Sequence, residues 1–329
     1  MRRRDILTLA GGAAVAWSNA APAQQAGRTR RIGVLIPLVA DDPQGRAQVS
    51  TFRQALHDRG WTEGGNLQMD VRWSAGDADR NRRFAEELVA LAPDIILAGS
   101  GQVVPALQKA TRTVPIVFTV AIDPVALGFV ESLSRPGGNT TGFLQIEYSF
   151  SEKWLELLKQ IAPHVTRVAV LRDATVPSGD AQLAAIRSAD LEFGVELTPV
   201  DVRDGDKMEH ALTAFAREGN GGLIVTASTI ARSRRDLIIA LAARNRLPAV
   251  YPSPVFVTDG GLVSYGPVFL DQFWRAAEYV DRILKGAKPG DLPVQAPVRF
   301  EMALNLRTAK ALGLDVPRIV LSRADQLID

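Results

Sequence analysis

The stretch that decides the fold reads Asp259-Gly260-Gly261-Leu262-Val263-Ser264-Tyr265-Gly266-Pro267. A glycine pair opens a short apolar run that favours a β-strand, and Gly266 and Pro267 break the run. Apolar residues then recur at helical spacing from Phe269 to Leu284, and Gly286 stands just beyond the last turn. We interpret the stretch as one of the connections between two α/β lobes, with Gly266 and Pro267 as its hinge.

Strand and helix patterns alternate on the N-terminal side of this stretch. Residues 32–36 form a nearly unbroken apolar run, which is typical of a strand buried on both faces of a parallel sheet. Helical and strand patterns then alternate up to residue 146, and the same rhythm begins again at residue 147. This alternation predicts an α/β fold with two lobes, each a doubly wound parallel sheet.

One amphipathic helix and a C-terminal tail are left over once the two lobes have been counted. If the helix completes the first lobe and the tail completes the second, lobe 1 comprises residues 28–146 plus 268–290, and lobe 2 comprises residues 147–265 plus 294–329. The chain then crosses between the lobes three times, near residues 145–149, 265–268 and 288–294.

The N-terminus predicts export to the periplasm. Arg2, Arg3 and Arg4 precede an apolar segment, and small residues at positions 21–23 suit a signal peptidase, so residues 1–23 are interpreted as an export signal. The apolar segment is shorter than the roughly 20 residues of a membrane span. A Sec signal and a twin-arginine signal both fit the basic start. No cysteine follows the cleavage site, so no lipid anchor is expected.

Composition excludes several classes of protein. The chain contains no cysteine, and its three histidines are far apart in sequence, so thiol catalysis and a His- or Cys-ligated metal are not expected. No Gly-x-Ser-x-Gly motif of an α/β hydrolase occurs. Removing residues 1–23 brings the formal net charge from +2 to zero. This balance of charges does not suggest a nucleic-acid-binding surface. The sequence therefore predicts neither an enzyme nor a protein with a metal or cofactor.

Several short motifs occur in an order and spacing that resemble one family. They are Pro115-Ile116-Val117-Phe118, Asp123-Pro124-Val125, Arg135-Pro136-Gly137-Gly138-Asn139, the stretch at 259–267, Leu284-Lys285-Gly286-Ala287-Lys288-Pro289, and residues 306–314. Together they resemble the exported substrate-binding proteins of ABC transporters, in the group similar to the tryptophan-binding lipoproteins. The resemblance covers almost the whole mature chain and implies the type I periplasmic binding protein fold, with three crossovers and a ligand cleft between two lobes.

The resemblance also implies a function. It indicates a solute-binding protein that closes by hinge motion on a small molecule and delivers it to the permease of an ABC transporter in the inner membrane. An amino acid or a related small acid is the expected ligand, and a monomer is the expected state. A periplasmic sensor that presents its ligand to a membrane receptor would use the same two-lobed module, so that alternative stays open.

Two cleft loops depart from the family pattern. Gly101 stands where family members usually have a threonine, so Ser100 offers the nearest hydroxyl. Residues 172–175 read Arg-Asp-Ala-Thr, where a tryptophan or asparagine with prolines is usual. The family's ligand therefore cannot be transferred directly to this chain.

Candidate ligand-binding residues follow from the rule that open parallel sheets bind ligands outside the carboxyl ends of their strands. They are Ser100, Gly101, Gln102, Asp123 and Gln145 in the first lobe, and Asp173, Thr175, Ser228, Tyr251, Phe256 and Tyr265 in the second. A Gly-Ser-Gly loop at a helix start can present N–H groups and a hydroxyl to a carboxylate. Aromatic rings can stack on an apolar part of the ligand.

Structural roles compete with several of these assignments. Asp123 could bind a ligand ammonium, or it could cap the helix that follows it. Asp173 could simply pair with Arg172. Ser228 or a neighbouring hydroxyl must cap the next helix, and Phe256 could belong to the hydrophobic core.

Overall fold

The computed structural model describes residues 28–329, so the predicted export signal lies outside the described residues. The first lobe contains a five-stranded, fully parallel sheet in the order β2-β1-β3-β4-β5. Its strands are β1 (Arg30–Ile36), β2 (Leu67–Trp73), β3 (Ile95–Ala98), β4 (Ile116–Ala121) and β5 (Thr140–Leu144). The helices between them are α1 (Pro43–His57), α2 (Ala78–Ala90) and α3 (Val104–Ala110).

The second lobe contains a seven-stranded sheet in the order β12-β11-β10-β9-β8-β6-β7. Its strands are β6 (Arg167–Arg172), β7 (Glu196–Asp201), β8 (Gly221–Val225), β9 (Ala249–Tyr251), β10 (Val263–Pro267), β11 (Phe300–Asn305) and β12 (Gln326–Ile328). The remaining helices are α4 (Glu152–Ile161), α5 (Pro177–Ser188), α6 (Asp190–Phe193), α7 (Gly205–Ala216), α8 (Thr229–Ser233), α9 (Arg235–Arg244), α10 (Pro254–Thr258), α11 (Phe269–Leu284), α12 (Leu306–Ala311) and α13 (Arg318–Arg323). The prediction of two doubly wound, largely parallel sheets is confirmed.

Helix α11 follows β10 of the second sheet but packs on the first. Its apolar stripe includes Phe273, Ala276 and Val280, and these residues share one core with Ile32 of β1 and Phe52 of α1. The stripe follows from apolar residues three and four positions apart, which lie on one face of a helix. The chain therefore leaves the second sheet to complete the core of the first.

The segment that follows α11 stays in contact with the first lobe up to Ala296, which is further along the chain than the sequence predicted. The Gln295 N–H donates to the carbonyl of Gly142, and the Leu144 N–H donates to the carbonyl of Gln295, so this segment extends the β5 edge. These bonds satisfy backbone groups that the edge strand would otherwise expose. The chain turns to the second sheet after Ala296, although the sequence placed the start of the tail at residue 294.

The last two strands run against the rest of their sheet. Strand β11 pairs with β10 in the antiparallel sense, with Tyr265 opposite Met302 and Gly266 opposite Glu301, and β12 runs parallel to β11. The sequence predicted parallel sheets and missed this reversal, because alternation of strand and helix patterns does not carry strand direction. No helix of residues 28–329 is long and apolar enough to span a membrane.

Candidate functional site

A cleft of about 600 Å³ lies between the two sheets. Lobe 1 lines it with the loops after β1, β3, β4 and β5 and with the start of α1, and lobe 2 lines it with the loops after β8 and β9 and with the first turns of α8 and α10. These loops follow the carboxyl ends of parallel strands, where open α/β sheets bind ligands. The volume lies within the range of small-molecule sites.

Five of the predicted residues line this cleft: Ser100, Gln102, Gln145, Ser228 and Phe256, although Phe256 is 1% exposed and also belongs to the lobe 2 core, as its alternative assignment expected. The Ser100 hydroxyl accepts the N–H of Gln102 at 3.2 Å, and the Ser228 hydroxyl accepts the N–H of Ala231 at 3.0 Å. Both serines therefore cap helix starts, and each hydroxyl keeps its own proton for donation. Capping and ligand contact do not exclude each other at these positions.

Gly101 lies beside the cleft without lining it, and the geometry explains why it is not a threonine. A Cβ at this position would stand 3.1 Å from the Ala121 Cα and 3.2 Å from the Ala121 Cβ. The close approach of β4 therefore crowds this position, and a larger side chain would require a neighbouring group to shift. The hydroxyl that faces the cleft belongs to Ser100 instead.

Both predicted acids, Asp123 and Asp173, hold loops and do not line the cleft. The Asp123 carboxylate accepts the N–H of Ala126 at 3.0 Å and so closes a turn at residues 124–128; the predicted helix that it was to cap does not form. The buried Asp173 carboxylate accepts the N–H of Thr175 at 3.0 Å and its hydroxyl at 2.6 Å. The sequence put Asp173, Thr175 and Asp123 at the ligand because they follow strands, but a short acidic side chain bonds its own loop first.

The two tyrosines of the prediction also lie outside the cleft. Tyr251 is 1% exposed and belongs to the core under α9. Tyr265 packs against Phe150 and Phe300, with ring centroids at 4.9 and 6.1 Å, at the edge of the other lobe 2 core. Alternation along β9 and β10 determines which face each ring occupies, and the sequence pattern does not show on which face the cleft lies.

The predicted hinge residues lie within a strand pair. Gly266 and Pro267 are buried in β10, and both are in register with β11. A Cβ on Gly266 would stand 2.1 Å from the Pro252 carbonyl oxygen, so the glycine permits close packing of two strands. The chain leaves the ladder at Val268, whose N–H still donates to the Arg299 carbonyl at 2.9 Å.

A contact across the cleft was not predicted from the sequence. The guanidinium of Arg232, on α8, donates to Oε1 of Gln44, on α1. Burial lowers the pKa of Arg232, and the Asp42 carboxylate acts in the opposite direction. Because arginine stays charged in proteins, lobe 2 presents a partly buried cation to the carboxylate-bearing start of α1 in lobe 1.

Arg235 lines the same cleft but is neutralised within its own lobe. Its Nε donates to Oδ2 of Asp259 at 2.6 Å, a contact that raises the pKa of Arg235. Arg232 has no such partner among the ion pairs of residues 28–329. Arg232 is therefore the cation of this part of the cleft that a ligand can neutralise.

Lobe 1 contributes acceptors to the same region. Asp42 caps α1 by accepting the Gly45 N–H at 2.9 Å. Gln48, one turn further along α1, lines the cleft and is 5% exposed, and its Oε1 is buried without a hydrogen-bond partner in the described part of the chain. A buried acceptor without a donor is costly, so a donor from a ligand would complete this site.

Spacing in the sequence could have revealed these residues. Arg232 lies four positions after Ser228, so both lie on one face of α8. Asp42 precedes Pro43, which is a strong signal for a helix start directly after the first strand and its loop. The prediction stopped at the loops and did not extend into the first turns of the helices they open.

Backbone strain marks the floor of the cleft in lobe 1. Val120, at the end of β4, has a φ of 50°, which is a left-handed conformation that a β-branched residue rarely adopts. The Val120 N–H donates to Oε1 of Gln272 on α11 at 2.8 Å, and this bond holds the strained residue. Strain of this kind clusters at binding and catalytic sites.

Comparison with known proteins places these features in a family. The model of the family "ABC transporter substrate binding protein" matches residues 31–328. A curated relative, the tyrosine-binding protein of Clostridioides difficile (strain R20291), is 26% identical over 263 residues, which are 80% of this chain and 75% of that protein.

Solved structures share the fold. A domain from Streptococcus pneumoniae in complex with L-tryptophan has a TM-score of 0.79 at 22% identity, covering 91% of this chain and 100% of that one. A ligand-free, open substrate-binding protein from Clostridium difficile has a TM-score of 0.76 at 24% identity, covering 91% and 99%. At these identities the likeness shows the two-lobed fold.

Proposed function

The chain belongs to the ABC transporter substrate-binding protein family, and we propose that it binds a free amino acid between its lobes for uptake through an ABC permease. The family consists of binding proteins and not enzymes, so no catalytic residue is assigned. The single observation that carries the choice of ligand is the pair of opposite charges across the cleft, Arg232 in lobe 2 and Asp42 in lobe 1.

An amino acid zwitterion matches this arrangement. Its carboxylate suits the Arg232 guanidinium, with Ser228 as a hydroxyl donor, because charge-assisted bonds to arginine are strong and directional. Its ammonium suits the carboxylate of Asp42 and the unmet Oε1 of Gln48. A neutral sugar would leave this partly buried cation uncompensated, which is less favourable than neutralising it.

The side chain of the ligand is proposed to be large and apolar. Leu38, Val120, Phe256 and Phe269 line the cleft from both lobes. Phe256 is 1% exposed, so Phe269 is the aromatic ring of this wall that a ligand can reach for stacking. The relative in Clostridioides difficile is named a tyrosine-binding protein, and the Streptococcus structure holds L-tryptophan. Tyrosine and tryptophan are therefore the first ligands to test.

Closure of the lobes is the proposed mechanism. The bond between Arg232 and Gln44 bridges the lobes, and a ligand that contacts both would replace it with stronger, charge-assisted contacts. Differential contacts of this kind favour the closed state. Because Gly266 and Pro267 lie in a paired strand, we propose that the backbone of the second crossover rotates at Val268 during closure. We propose that the backbone of the third crossover rotates at residues 297–299. The permease would then recognise the closed shape.

A thermal-shift screen tests the ligand class. The mature protein is measured with each amino acid, with small dicarboxylic acids and with pentoses and hexoses. We expect tyrosine or tryptophan to give the largest rise in melting temperature, because a ligand that binds only the folded state stabilises it. A rise confined to sugars or dicarboxylates would refute the proposed ligand class.

A second experiment tests transport. Uptake of the radiolabelled amino acid found in the screen is measured in two strains. One strain lacks the protein, and the other carries the Arg232→Met variant. We expect both strains to lose high-affinity uptake. Normal uptake in both strains would contradict delivery to a permease and favour presentation of the ligand to a receptor.

A further inference from the structure

We propose that lobe 2 carries a second ligand site, between α9 and α12, which takes a small monocarboxylate with an apolar body. A cavity of about 310 Å³ lies there, formed by α9, α12, β9 and the glycine pair before β10. None of its lining residues lines the cleft between the lobes. The site is therefore separate from the one proposed for the amino acid, and its existence does not depend on that function.

The interior of this cavity is apolar and its polar groups are few. Aliphatic side chains of Ile239, Leu247, Leu262 and Leu312 form much of the wall. Small-molecule sites have this composition, with a small number of polar groups that orient the ligand. A body of a few methylene groups or one ring suits such a wall, whereas a sugar would leave its hydroxyls without partners.

Two arginines supply positive charge at this cavity. Arg246 and Arg307 both line it and both are exposed. Neither guanidinium lies within 4.0 Å of a carboxylate of residues 28–329, although other lobe 2 arginines, such as Arg244 and Arg235, are paired with acids. Two cations beside an apolar cavity select an anion with an apolar part.

The hydroxyl of Tyr251 adds a third polar group. Tyr251 lines the cavity, and its side chain as a whole is 1% exposed. Buried tyrosine hydroxyls usually find a partner. Burial raises the pKa of Tyr251, so the phenol stays protonated and can donate to a carboxylate oxygen.

The glycine pair builds the floor of this cavity. A Cβ on Gly261 would stand 2.6 Å from Cε2 of Tyr251, so the Tyr251 ring fits because residue 261 has no side chain. The Gly260 carbonyl accepts the Thr308 hydroxyl at 2.9 Å, which ties the floor to α12. The glycines that open the stretch at 259–267 thus shape a cavity in addition to starting a strand.

One aromatic pair separates the two cavities. The rings of Tyr251 and Phe256 stack with centroids 5.0 Å apart and planes 16° apart. Tyr251 lines the second cavity, and Phe256 lines the cleft. Occupancy of the second cavity therefore changes the freedom of a wall of the cleft, and the two ligands should affect each other's affinity reciprocally.

Calorimetry with hexanoate as the probe tests the site. Hexanoate is titrated into the wild-type protein and into two variants. The first is the double variant Arg246→Gln/Arg307→Gln, and the second is Ala311→Phe, which fills the mouth of the cavity from an exposed position. We expect measurable binding to the wild type and at least about a tenfold loss in both variants, since charge-assisted contacts and space are removed. Arg318→Gln, an exposed arginine of α13, is the matched control and should bind as the wild type does.

Three results would overturn the site: no binding of hexanoate to the wild type, equal binding to the wild type and both variants, or loss of hexanoate binding in Arg232→Met, which would place the probe in the cleft. Hexanol and inorganic phosphate, titrated in parallel, should each bind at least about tenfold more weakly than hexanoate, because each lacks half of the required chemistry. Circular dichroism of each variant checks that it is folded. Failure of the amino acid screen would leave these results unaffected.

Discussion

The two lobes present opposite chemistry to one cleft. Lobe 1 contributes acceptors from α1, the Asp42 carboxylate and the unmet Gln48 Oε1, together with the strained Val120. Lobe 2 contributes the partly buried guanidinium of Arg232, and the largely buried ring of Phe256 forms part of the wall. Neither lobe alone can neutralise both ends of a zwitterion. The proposed ligand must therefore contact both lobes, and we expect its affinity to be coupled to the proposed closure of the lobes.

The lobes also differ in how the chain completes them. The core of lobe 1 takes α11 from beyond the second sheet, whereas the sheet of lobe 2 gains the reversed strands β11 and β12 from the C-terminal tail. Each lobe therefore depends on a segment that reaches it through a crossover.

The largest effect is expected from Phe273→Ala on α11. Phe273 is fully buried in the core of lobe 1, and loss of such a ring costs about 3–5 kcal/mol. Hydrogen exchange should show that amides of β1 and β3 lose protection while those of β6 and β8 keep it. Trp274→Ala, at the exposed neighbouring residue, is the control and should change little. An equal loss in both lobes would show that they unfold as one unit.

The next effect is expected from Arg232→Met, which removes the cation and keeps an unbranched apolar stem. A charged contact of this kind contributes about 2–3 kcal/mol, so the dissociation constant for the amino acid should rise by roughly 30- to 150-fold in calorimetry. Arg235→Gln is the matched control, because Asp259 already neutralises Arg235 within lobe 2. Equal losses in both variants would mean that the cleft responds to net charge and not to one guanidinium.

A smaller loss of affinity is expected from Asp42→Asn in lobe 1. Asparagine caps a helix as well as aspartate does, so the stability of α1 should hold while the charge facing Arg232 disappears. We expect about a tenfold weaker amino acid affinity in calorimetry. The melting temperature of the ligand-free protein should stay nearly constant. A large fall in melting temperature would show that Asp42 acts on folding and not on the ligand.

The smallest effect is expected from the carboxyl group of Glu301, which lies on β11 in lobe 2. Burial raises the pKa of the half-buried Glu301, and Asp325 raises it further. The protonated form is therefore favoured in the folded state, so this contribution to stability is present below pH 4.5 and is lost as the pH rises through the raised pKa. Glu301→Gln should stabilise the protein at pH 7 by less than about 1 kcal/mol after solvent screening.

Thermal unfolding at pH 7 and at pH 4 checks this sign. The gain from Glu301→Gln should be present at pH 7 and absent at pH 4, where the wild-type carboxyl is protonated. Glu196→Gln, at an exposed position on β7, is the control. A gain at pH 4 as large as that at pH 7 would show that packing and not charge is responsible.

Much of the fold was predictable because hydrophobic periodicity reports burial. The apolar run of β1 and the stripe of α11 gave the two lobes and the crossing between them. Strand direction was not predictable for β11, since an alternating pattern reads the same in both directions. The segment around Gln295 was missed because its bonds to β5 are made by the backbone, which no side-chain pattern reveals.

The candidate site was predicted only in its loops. Ser100, Gln145 and Ser228 line the cleft because they follow strands, as the general rule requires. Tyr251 is the last residue of strand β9, and its ring enters the core. Arg232 was overlooked because it lies one helical turn beyond its loop, and its partner Gln44 belongs to the other lobe. A sequence does not show which loops face each other.

The central claim is that one ligand's two charges bridge two oppositely charged lobes. The most direct test measures the binding of L-tyrosine and L-tryptophan by calorimetry. Each amino acid is compared with its carboxamide, which lacks the carboxylate, and with its N-acetyl derivative, which lacks the ammonium. The account predicts that at least one free amino acid binds and that both of its derivatives bind at least about tenfold more weakly. Binding of the derivatives as tight as that of the parent amino acid would contradict it, and so would no binding of either amino acid.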